Sequence, residues 1–327
     1  MKKKFKILSL DGGGLRGLAE LIILKRIEDI TGKRIYELFD LIVGTSTGGI
    51  IACGLTAAKN GKPVLTVDKL IDLYNTNGNK IFPKQNTWLK KKYRGIRSIF
   101  LPKYKKNGLE DQLSEYFGDI RLSEVLKPII VTSYDIIHNE IVMFKSRRTN
   151  EYGFDLPLKD VCRATSAAPV YLSPFEYNYN DVDRILVDGG IYINNPAMAA
   201  VADTLRYKYG NPDITVEDIQ LLSLGTGFHS EKLGYRRKWW HRPIKKWGAL
   251  NWAVPISTVM LQASSKCVDY ECQQLPLDKF LRLQFIIDEQ DRSEMDDSRE
   301  ETLRYIIDCV NDQILNKQLD KIKDFFK

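Results

Sequence analysis

The chain has 327 residues, of which 43% are hydrophobic and 28% are charged. This composition is typical of a globular protein with a large core and argues against extensive disorder. No apolar stretch reaches the 18 residues expected of a transmembrane helix, and the apolar stretch Lys6–Leu10 is too short for a signal peptide. The five cysteines are odd in number and scattered, which indicates free thiols in a reducing compartment and no metal site. We therefore expect a cytoplasmic protein.

The net charge of +7 is unevenly distributed along the chain. Residues 84–106 carry nine Lys and Arg residues, residues 232–247 carry seven, and neither segment contains Asp or Glu. The remaining chain therefore sums to −9. Anionic partners are expected to bind at these two basic segments and not at the acidic body of the protein.

The first sixty residues alternate between apolar strands, glycine turns and helices. The predicted order is strand Lys6–Leu10, turn Asp11–Gly14, helix Leu15–Ile30, strand Leu41–Val43, turn Gly44–Gly48 and helix Gly49–Ala58. This alternation favours a parallel sheet that is covered by helices.

The rest of the chain continues the α/β pattern. Further strands are predicted at residues 128–134, 141–144, 184–187, 219–224 and 280–285. A helix should begin at Pro196 with Asn195 as its cap, and another near Ser298 with a capping box to Glu301. The basic, aromatic stretches at about 78–108 and 229–247 do not fit this pattern. We interpret residues 1–327 as a single α/β domain with a mostly parallel central sheet and insertions at those two places.

The strongest local signal is Gly44-Thr-Ser46-Thr-Gly48, which lies between a buried strand and a helix. Small residues two positions to either side of a serine let the backbone turn sharply and raise the hydroxyl above the sheet. The N-terminus of the following helix adds partial positive charge where an oxyanion forms. The pattern indicates Ser46 as a nucleophile, although such a turn also occurs without any chemistry.

A second glycine motif, Asp11-Gly-Gly-Gly-Leu-Arg-Gly17, follows the first strand. Its glycines fit the G-x-G-x-x-G fingerprint of a dinucleotide site. That function requires an acidic residue at the end of the second strand, whereas Asp40 precedes that strand. We favour the alternative that the bare backbone N–H groups of this loop bind an oxyanion beside Ser46.

A serine nucleophile requires a base, and the chain has three histidines. His138 lies in a predicted surface turn, and His241 is surrounded by cationic residues. His229 follows the Leu224-Gly-Thr-Gly-Phe stretch and would complete the order Ser, Asp, His that hydrolase triads use. We keep His229 as an alternative base.

We favour Asp188 as the base. It ends an apolar strand and is followed by Gly189 and Gly190, which permit a tight turn and access to the carboxylate. An apolar, partly desolvated setting raises the pKa of a carboxylate and makes it a stronger base. A plain Asp-Gly turn remains the structural alternative.

The glycine loop, the Ser46 turn and Asp188-Gly-Gly190, in that order, resemble the three signature blocks of the patatin-like phospholipase family. Further stretches are similar to plant patatins and bacterial relatives: Ala164–Pro169, Leu172–Phe175, Leu224–Gly227 and Leu281–Gln284. The resemblance covers most of residues 5–60, 160–227 and 248–285 and is weak over both basic insertions.

The resemblance implies the three-layer α/β/α patatin variant of the α/β-hydrolase architecture, and a lipid acyl hydrolase that uses no metal or organic cofactor. It also implies a Ser–Asp dyad without histidine. The implied roles are Ser46 as nucleophile, Asp188 as base, Gly12, Gly13 and Gly14 as oxyanion donors, and Arg16 as a brace for that loop. Gly44 and Gly48 would shape the nucleophile turn, and Gly189 and Gly190 the aspartate loop. The expected substrates are phospholipids or lysophospholipids.

The two basic insertions interleave cations with aromatic residues, which suits an anionic membrane surface. We therefore expect peripheral membrane association during turnover. A small anionic activator such as a cyclic nucleotide is a further expectation, because some bacterial members of the family are nucleotide-gated defence effectors. No nucleic-acid-binding motif is found, so nucleic acid is not expected as a partner. The alternatives are a nucleotide-binding sensor that uses Gly12–Gly17 and a non-catalytic lipid-binding or storage protein.

Overall fold

The computed structural model describes residues 3–83, 102–104, 107–151, 153–179, 181–229, 255–288 and 294–327. Most of both basic insertions lies outside these ranges. The described residues of the first insertion include the short helix Gly78–Ile81 and the start of the helix Asn107–Phe117.

The strands of the described chain are short and mostly buried. They are β1 (Phe5–Leu10), β2 (Leu41–Thr45), β3 (Ala58–Lys59), β4 (Lys62–Pro63), β5 (Ile129–Asp135), β6 (Glu140–Lys145), β7 (Phe175–Tyr179), β8 (Val182–Asp188), β9 (Ile219–Leu224), β10 (Phe228–His229), β11 (Lys279–Leu283) and β12 (Ile286–Ile287).

An eight-stranded sheet forms the centre of the described structure. Strands β11, β9, β1, β2 and β5 are neighbours in that order, and each of these pairs is parallel. Strands β8 and β7 continue the sheet in antiparallel pairs, and β6 pairs antiparallel with β5. The predicted α/β fold with a mostly parallel central sheet is confirmed.

Helices cover both faces of the sheet. They are α1 (Leu18–Thr31), α2 (Ile35–Leu38), α3 (Thr47–Thr56), α4 (Val67–Asn75), α5 (Gly78–Ile81), α6 (Asn107–Phe117), α7 (Leu158–Thr165), α8 (Ala197–Tyr207), α9 (Pro255–Gln274), α10 (Glu300–Val310) and α11 (Leu319–Phe326).

The alternation of side chains along the strands divides the core into two clusters. In β1, Leu8 and Leu10 join the larger cluster with α1, α3 and α10, whereas Ile7 joins the smaller cluster with α8. Because successive side chains of a strand point to opposite faces, each fully buried strand supplies both clusters. This produces the three-layer arrangement.

The helix boundaries differ from the prediction at both ends of the chain. Residues Gly14–Gly17 form a 3-10 turn, so the first α-helix begins at Leu18. The predicted capping box at Ser298 is wrong, because its hydroxyl donates a hydrogen bond to the Phe82 carbonyl (2.8 Å) and α10 begins at Glu300. The helix predicted from Pro196 begins one residue later, at Ala197, with Pro196 in the N-cap position; the Asn195 side chain still accepts a hydrogen bond from the N–H of Ala197 (3.0 Å).

Three neighbouring parallel strands end at the same edge of the sheet. Leu10 at the end of β1 pairs with Gly44 of β2 on one side and with Leu224 of β9 on the other. Loops that follow parallel strands meet at this carboxyl edge, which is where α/β proteins bind ligands. None of the helices that the structure describes is both long enough and apolar enough to cross a bilayer.

The crossing of β1 and α3 leaves no room for a side chain at Gly48. A Cβ atom there would lie 2.4 Å from the Leu10 carbonyl oxygen, whereas a Cβ atom at Gly32, which ends α1 with φ +66°, has open space around it. We expect Gly48→Ala to lower the free energy of unfolding by about 3 kcal/mol, because the backbone must move.

The matched change Gly32→Ala should lower the free energy of unfolding by only about 1 kcal/mol, because the left-handed backbone conformation is its single cost. Urea unfolding of both variants measures the difference. Equal losses would contradict the close approach of β1 and α3.

Candidate active site

Ser46 is the single residue between β2 and α3. Its backbone has φ 53° and ψ −120°, a strained conformation for a residue that carries a side chain. Its N–H donates a hydrogen bond to the Thr165 hydroxyl (2.9 Å), and its carbonyl accepts the N–H of Ile50 (3.1 Å). The residue is therefore fixed on both sides, and its partly exposed hydroxyl lies at the N-terminus of α3.

Gly44 and Gly48 permit this turn through close backbone contacts. A Cβ atom on Gly44 would lie 2.1 Å from the carbonyl oxygen of Gly48, and one on Gly48 would clash with the end of β1. The small residues on either side of the serine are thus required sterically, which agrees with the reasoning from the sequence.

Asp188 is the last residue of β8 and is in register with Ser133 of β5. The residue before Ser133, Thr132, is in register with Thr45, the last residue of β2. This register brings the Asp188 carboxylate next to Ser46, and both residues line the same cavity. The N–H of Gly190 donates a hydrogen bond to the Asp188 Oδ1 (2.8 Å). Gly189 is required here because a Cβ atom would lie 2.1 Å from the hydroxyl oxygen of Thr132.

Burial sets the protonation behaviour of this carboxylate. Desolvation raises the pKa of Asp188 to about 6, and the neighbouring Ser46 side chain and the hydrogen bond from the Gly190 N–H limit the rise. A carboxylate with this pKa is ionised at neutral pH and is a stronger base than an exposed aspartate.

The glycine loop lies beside the serine, but its amides are not equivalent. The N–H of Gly12 donates a hydrogen bond to the Asn194 carbonyl (3.0 Å), so the prediction that Gly12 donates to an oxyanion is corrected. No residue that the structure describes accepts a hydrogen bond from the N–H of Gly13 or Gly14, and both glycines line the same cavity as Ser46.

Several contacts hold the glycine loop in place. The carbonyl of Gly12 accepts a hydrogen bond from the hydroxyl of Thr226 (2.8 Å), and a Cβ atom on Gly13 would overlap that threonine. The Arg16 Nε lies 3.5 Å from the Gly13 carbonyl, which is the contact that a bracing role requires. Gly14 has φ +59° and no space for a Cβ atom next to the Met295 carbonyl.

A buried ion pair anchors the start of this loop. Both carboxylate oxygens of Asp11 accept hydrogen bonds from Arg282 on β11 (2.9 and 2.6 Å), and its backbone N–H donates to Glu20 (2.8 Å). Desolvation raises the pKa of Asp11 to about 6 despite the arginine, and raises that of Glu20 well above its usual value. The bidentate geometry fixes the orientation of the loop relative to β11.

A cavity of about 560 Å³ opens next to the serine and the aspartate. Its inner wall is formed by buried apolar side chains of α3, α4, α5, α6 and the segment after α7: Ile50, Leu73, Ile81, Leu109 and Leu172. Asp188 and Asp296 are the charged residues among those that line it. Asp296 is paired with Lys103 and accepts a hydrogen bond from Tyr104 (2.6 Å), so the cavity presents an apolar surface to a ligand.

The mouth of the cavity has an apolar rim formed by Val170, Ile191 and Met260. These residues are 63%, 46% and 58% exposed, respectively. Val170 also has φ +73°, which is strained for a β-branched residue, and its carbonyl is bonded to the N–H of Lys103 (2.8 Å). The segment is thus held in a conformation that exposes an apolar side chain at the entrance.

Of the three histidines, the structure describes the side chain of His138 alone. His138 is bonded through Nδ1 to Asp135 (2.7 Å) at the turn between β5 and β6, and it does not line the cavity. His229 lies in β10, whereas His241 lies outside the described residues.

Asp40 lies at the opposite end of the strands from the glycine loop. Its carboxylate accepts the N–H of Lys6 (2.9 Å) at the start of β1. An acidic residue there cannot hold a ribose at the glycine loop, so the fingerprint is not that of a dinucleotide site. Within the described ranges, no three His, Cys, Asp or Glu side chains lie close enough together to hold a metal ion.

The sequence did not predict the roles of Asn194, Thr226 and Arg282, which hold the glycine loop from distant parts of the chain. Two of them stand in stretches that resemble the family, Leu224–Gly227 and Leu281–Gln284. Those stretches were the available signal, but the partners of these residues could not be read from a single sequence.

Comparison with known proteins agrees with this geometry. The family model described as patatin-like phospholipase matches residues 8–201. Patatin-like protein 2 of Arabidopsis thaliana is 34% identical over 81% of this chain and 70% of its own length, and Patatin-like protein 4 of the same plant is 30% identical over 89% and 79%. Patatin-04/09 of Solanum tuberosum is 28% identical over 98% of this chain and 86% of its own.

A solved structure, that of VipD from Legionella pneumophila, aligns over 95% of this chain and 67% of its own, with 11% identity and a TM-score of 0.36. The family model spans more than half of the chain and includes the glycine loop, the Ser46 turn and the Asp188 loop. The chain therefore belongs to the patatin-like phospholipase family and is a lipid acyl hydrolase.

Proposed function

We propose that the protein hydrolyses acyl esters of phospholipids or lysophospholipids with Ser46 as nucleophile and Asp188 as its direct base. The observation that carries this proposal is that the strained serine at the start of α3 and a buried carboxylate, whose pKa is raised to about 6, lie side by side in the wall of one cavity. No described histidine side chain contacts either residue.

The reaction proceeds through an acyl-serine intermediate. Asp188 takes the hydroxyl proton as the Ser46 oxygen attacks the ester carbonyl, and the proton then passes to the leaving alcohol. Water attacks the acyl-serine in the second step, and Asp188 acts as base again. The pKa near 6 suits both steps, because the group is ionised at pH 7 and yet basic enough to accept a proton.

The N–H groups of Gly13 and Gly14 stabilise the oxyanion in this proposal. They have no acceptor among the described residues, and removing one such donor typically lowers kcat by about 100-fold or more. Gly12 contributes differently: the absence of a side chain leaves room for the Asn194 side chain, since a Cβ atom there would lie 2.5 Å from the Asn194 Oδ1.

The cavity favours a long acyl chain over a polar substrate. Its inner wall is apolar, and its volume of about 560 Å³ is in the range of ligand sites. An ester whose acyl chain enters the cavity places its carbonyl at Ser46 and its head group at the mouth.

The apolar rim supports contact with a lipid surface. Val170, Ile191 and Met260 surround the entrance, so a bilayer that covers them would lie directly over the dyad. Transfer of exposed apolar side chains into the acyl region of a membrane contributes about 1 kcal/mol or more per residue. The basic insertions are also predicted to bind the membrane surface, but most of their residues lie outside the described ranges. Gating by an anionic activator, and with it a defence role, also stays a prediction.

Replacing either member of the dyad should abolish hydrolysis. We expect Ser46→Ala and Asp188→Asn each to reduce kcat by at least about 1,000-fold on a phospholipid and on a soluble ester, because each removes a reacting group. Release of fatty acid, measured by mass spectrometry, is the assay.

His229→Ala is the control and should retain most of the activity. A loss as large as that of Ser46→Ala would replace the dyad with a triad. Activity that survives in Asp188→Asn would exclude this carboxylate as the base.

The raised pKa of Asp188 predicts how activity depends on pH. The base must be ionised, so kcat/KM should be constant at neutral pH and fall as the pH drops through about 6. Because the pKa of Asp11 is raised to a similar value, the pH profile is also measured in the Asp11→Asn variant as a control. The inflection should stay near pH 6 in that variant, even if the rate is lower; its disappearance would assign the titration to Asp11.

The apolar rim should control binding to lipid vesicles. In the inactive Ser46→Ala background, replacing Val170, Ile191 and Met260 by serine should lower the vesicle-bound fraction about tenfold in sedimentation with phosphatidylglycerol vesicles. The control replaces Ile137 and Ile141, which are 56% and 59% exposed and lie outside the cavity lining. Equal losses in both variants, or none in the rim variant, would refute the assignment of the rim.

A further inference from the structure

Asn194 is held beside the dyad by hydrogen bonds on two sides. Its backbone carbonyl accepts the N–H of Gly12 (3.0 Å), and its side-chain Nδ2 donates to the Ser265 hydroxyl on α9 (3.1 Å). These contacts fix the plane of the amide. Its Oδ1 receives no hydrogen bond from the residues that the structure describes, and the residue lines the cavity.

The free oxygen of Asn194 borders the same small space as the catalytic groups. A Cβ atom placed on Gly190 would lie 3.1 Å from Oδ1 of Asp188 and 3.5 Å from Oδ1 of Asn194. A Cβ atom placed on Gly12 would lie 2.5 Å from the same asparagine oxygen and 3.4 Å from the Ser46 Cβ. The two glycines leave this space open, and two acceptor oxygens face it.

We propose that Asn194 positions the water molecule that hydrolyses the acyl-serine, an inference that rests on the proposed two-step reaction. A carboxylate and an amide oxygen can only accept hydrogen bonds, so together they bind both protons of one water molecule. A water molecule held in this way keeps a lone pair free for the acyl carbon on Ser46.

The hydrolytic step is balanced with the groups present. The water oxygen forms a bond to the acyl carbon as Asp188 takes one proton, and the other proton stays hydrogen-bonded to Asn194. When the tetrahedral intermediate collapses, the bond between the acyl carbon and the serine oxygen breaks. The proton on Asp188 then returns to that oxygen, and the carboxylic acid leaves.

This role separates the two halves of the reaction. In the first half of the proposed reaction, Ser46 is the nucleophile and gives its proton to Asp188, so the asparagine oxygen has no proton to accept. Only the second half needs a correctly oriented water molecule. Loss of the amide oxygen should therefore slow deacylation and leave acylation almost unaffected.

The test follows the acyl-serine over time with p-nitrophenyl butyrate. Rapid quenching and intact-protein mass spectrometry give the rate at which the butyryl adduct forms and the rate at which it decays. In Asn194→Ala we expect decay to slow by about 10- to 100-fold, because misplaced water attacks poorly, and formation to change by less than about threefold. The amplitude of the adduct signal measures the amount of folded, active enzyme. Partial misfolding therefore lowers this amplitude and leaves both rates unchanged.

Asn194→Asp is the matched variant, since it keeps an oxygen acceptor at the same place. It should restore most of the decay rate, and its added negative charge should move the inflection of the pH profile upward from about 6. Equal slowing of both steps in Asn194→Ala, or no slowing of decay, would overturn the proposal. Absence of any adduct in the wild-type enzyme would instead show that the two-step reaction itself is wrong.

Discussion

The one-residue connection at Ser46 is the constraint on which the rest of the site depends. A strand that ends at Thr45 and a helix that begins at Thr47 leave the serine in a strained backbone conformation, which persists only because the surrounding structure determines it. Fully buried flanking segments, the two close-packed glycines and the hydrogen bond to Thr165 supply that support. Strain at this residue is therefore a consequence of packing, and it presents the hydroxyl to the cavity.

The sheet brings together groups that are far apart in the chain. Parallel strands β1, β2 and β9 deliver the glycine loop, the serine and Thr226 to one edge, while the antiparallel strand β8 brings Asp188 to the same place from the other direction. The carboxylate of Asp188, which we propose as the direct base, can approach the serine because β8 pairs with β5 beyond the point where β2 ends. The mixed sheet thus places a buried carboxylate beside the serine.

Much of this arrangement could be predicted from the sequence because its signals are local. The strand, glycine turn and helix around Ser46 lie within a few residues of each other, and so do the strand and glycines around Asp188. The rest depends on contacts between distant segments. Gly12 fits the pattern of an oxyanion donor, yet its N–H is used by Asn194, and Ser298 fits a capping box, yet its hydroxyl binds Phe82. A single sequence shows which groups could donate, but it does not show which acceptors they meet.

The most direct test of the account is a crystal structure of the protein inhibited with a long-chain alkyl fluorophosphonate. The phosphorus should be bonded to the Ser46 oxygen, with its phosphoryl oxygen within about 3 Å of the Gly13 and Gly14 nitrogen atoms and its alkyl chain in the apolar cavity. A label on another residue, or a phosphoryl oxygen turned away from the glycine loop, would contradict the assignment of both the nucleophile and the oxyanion site.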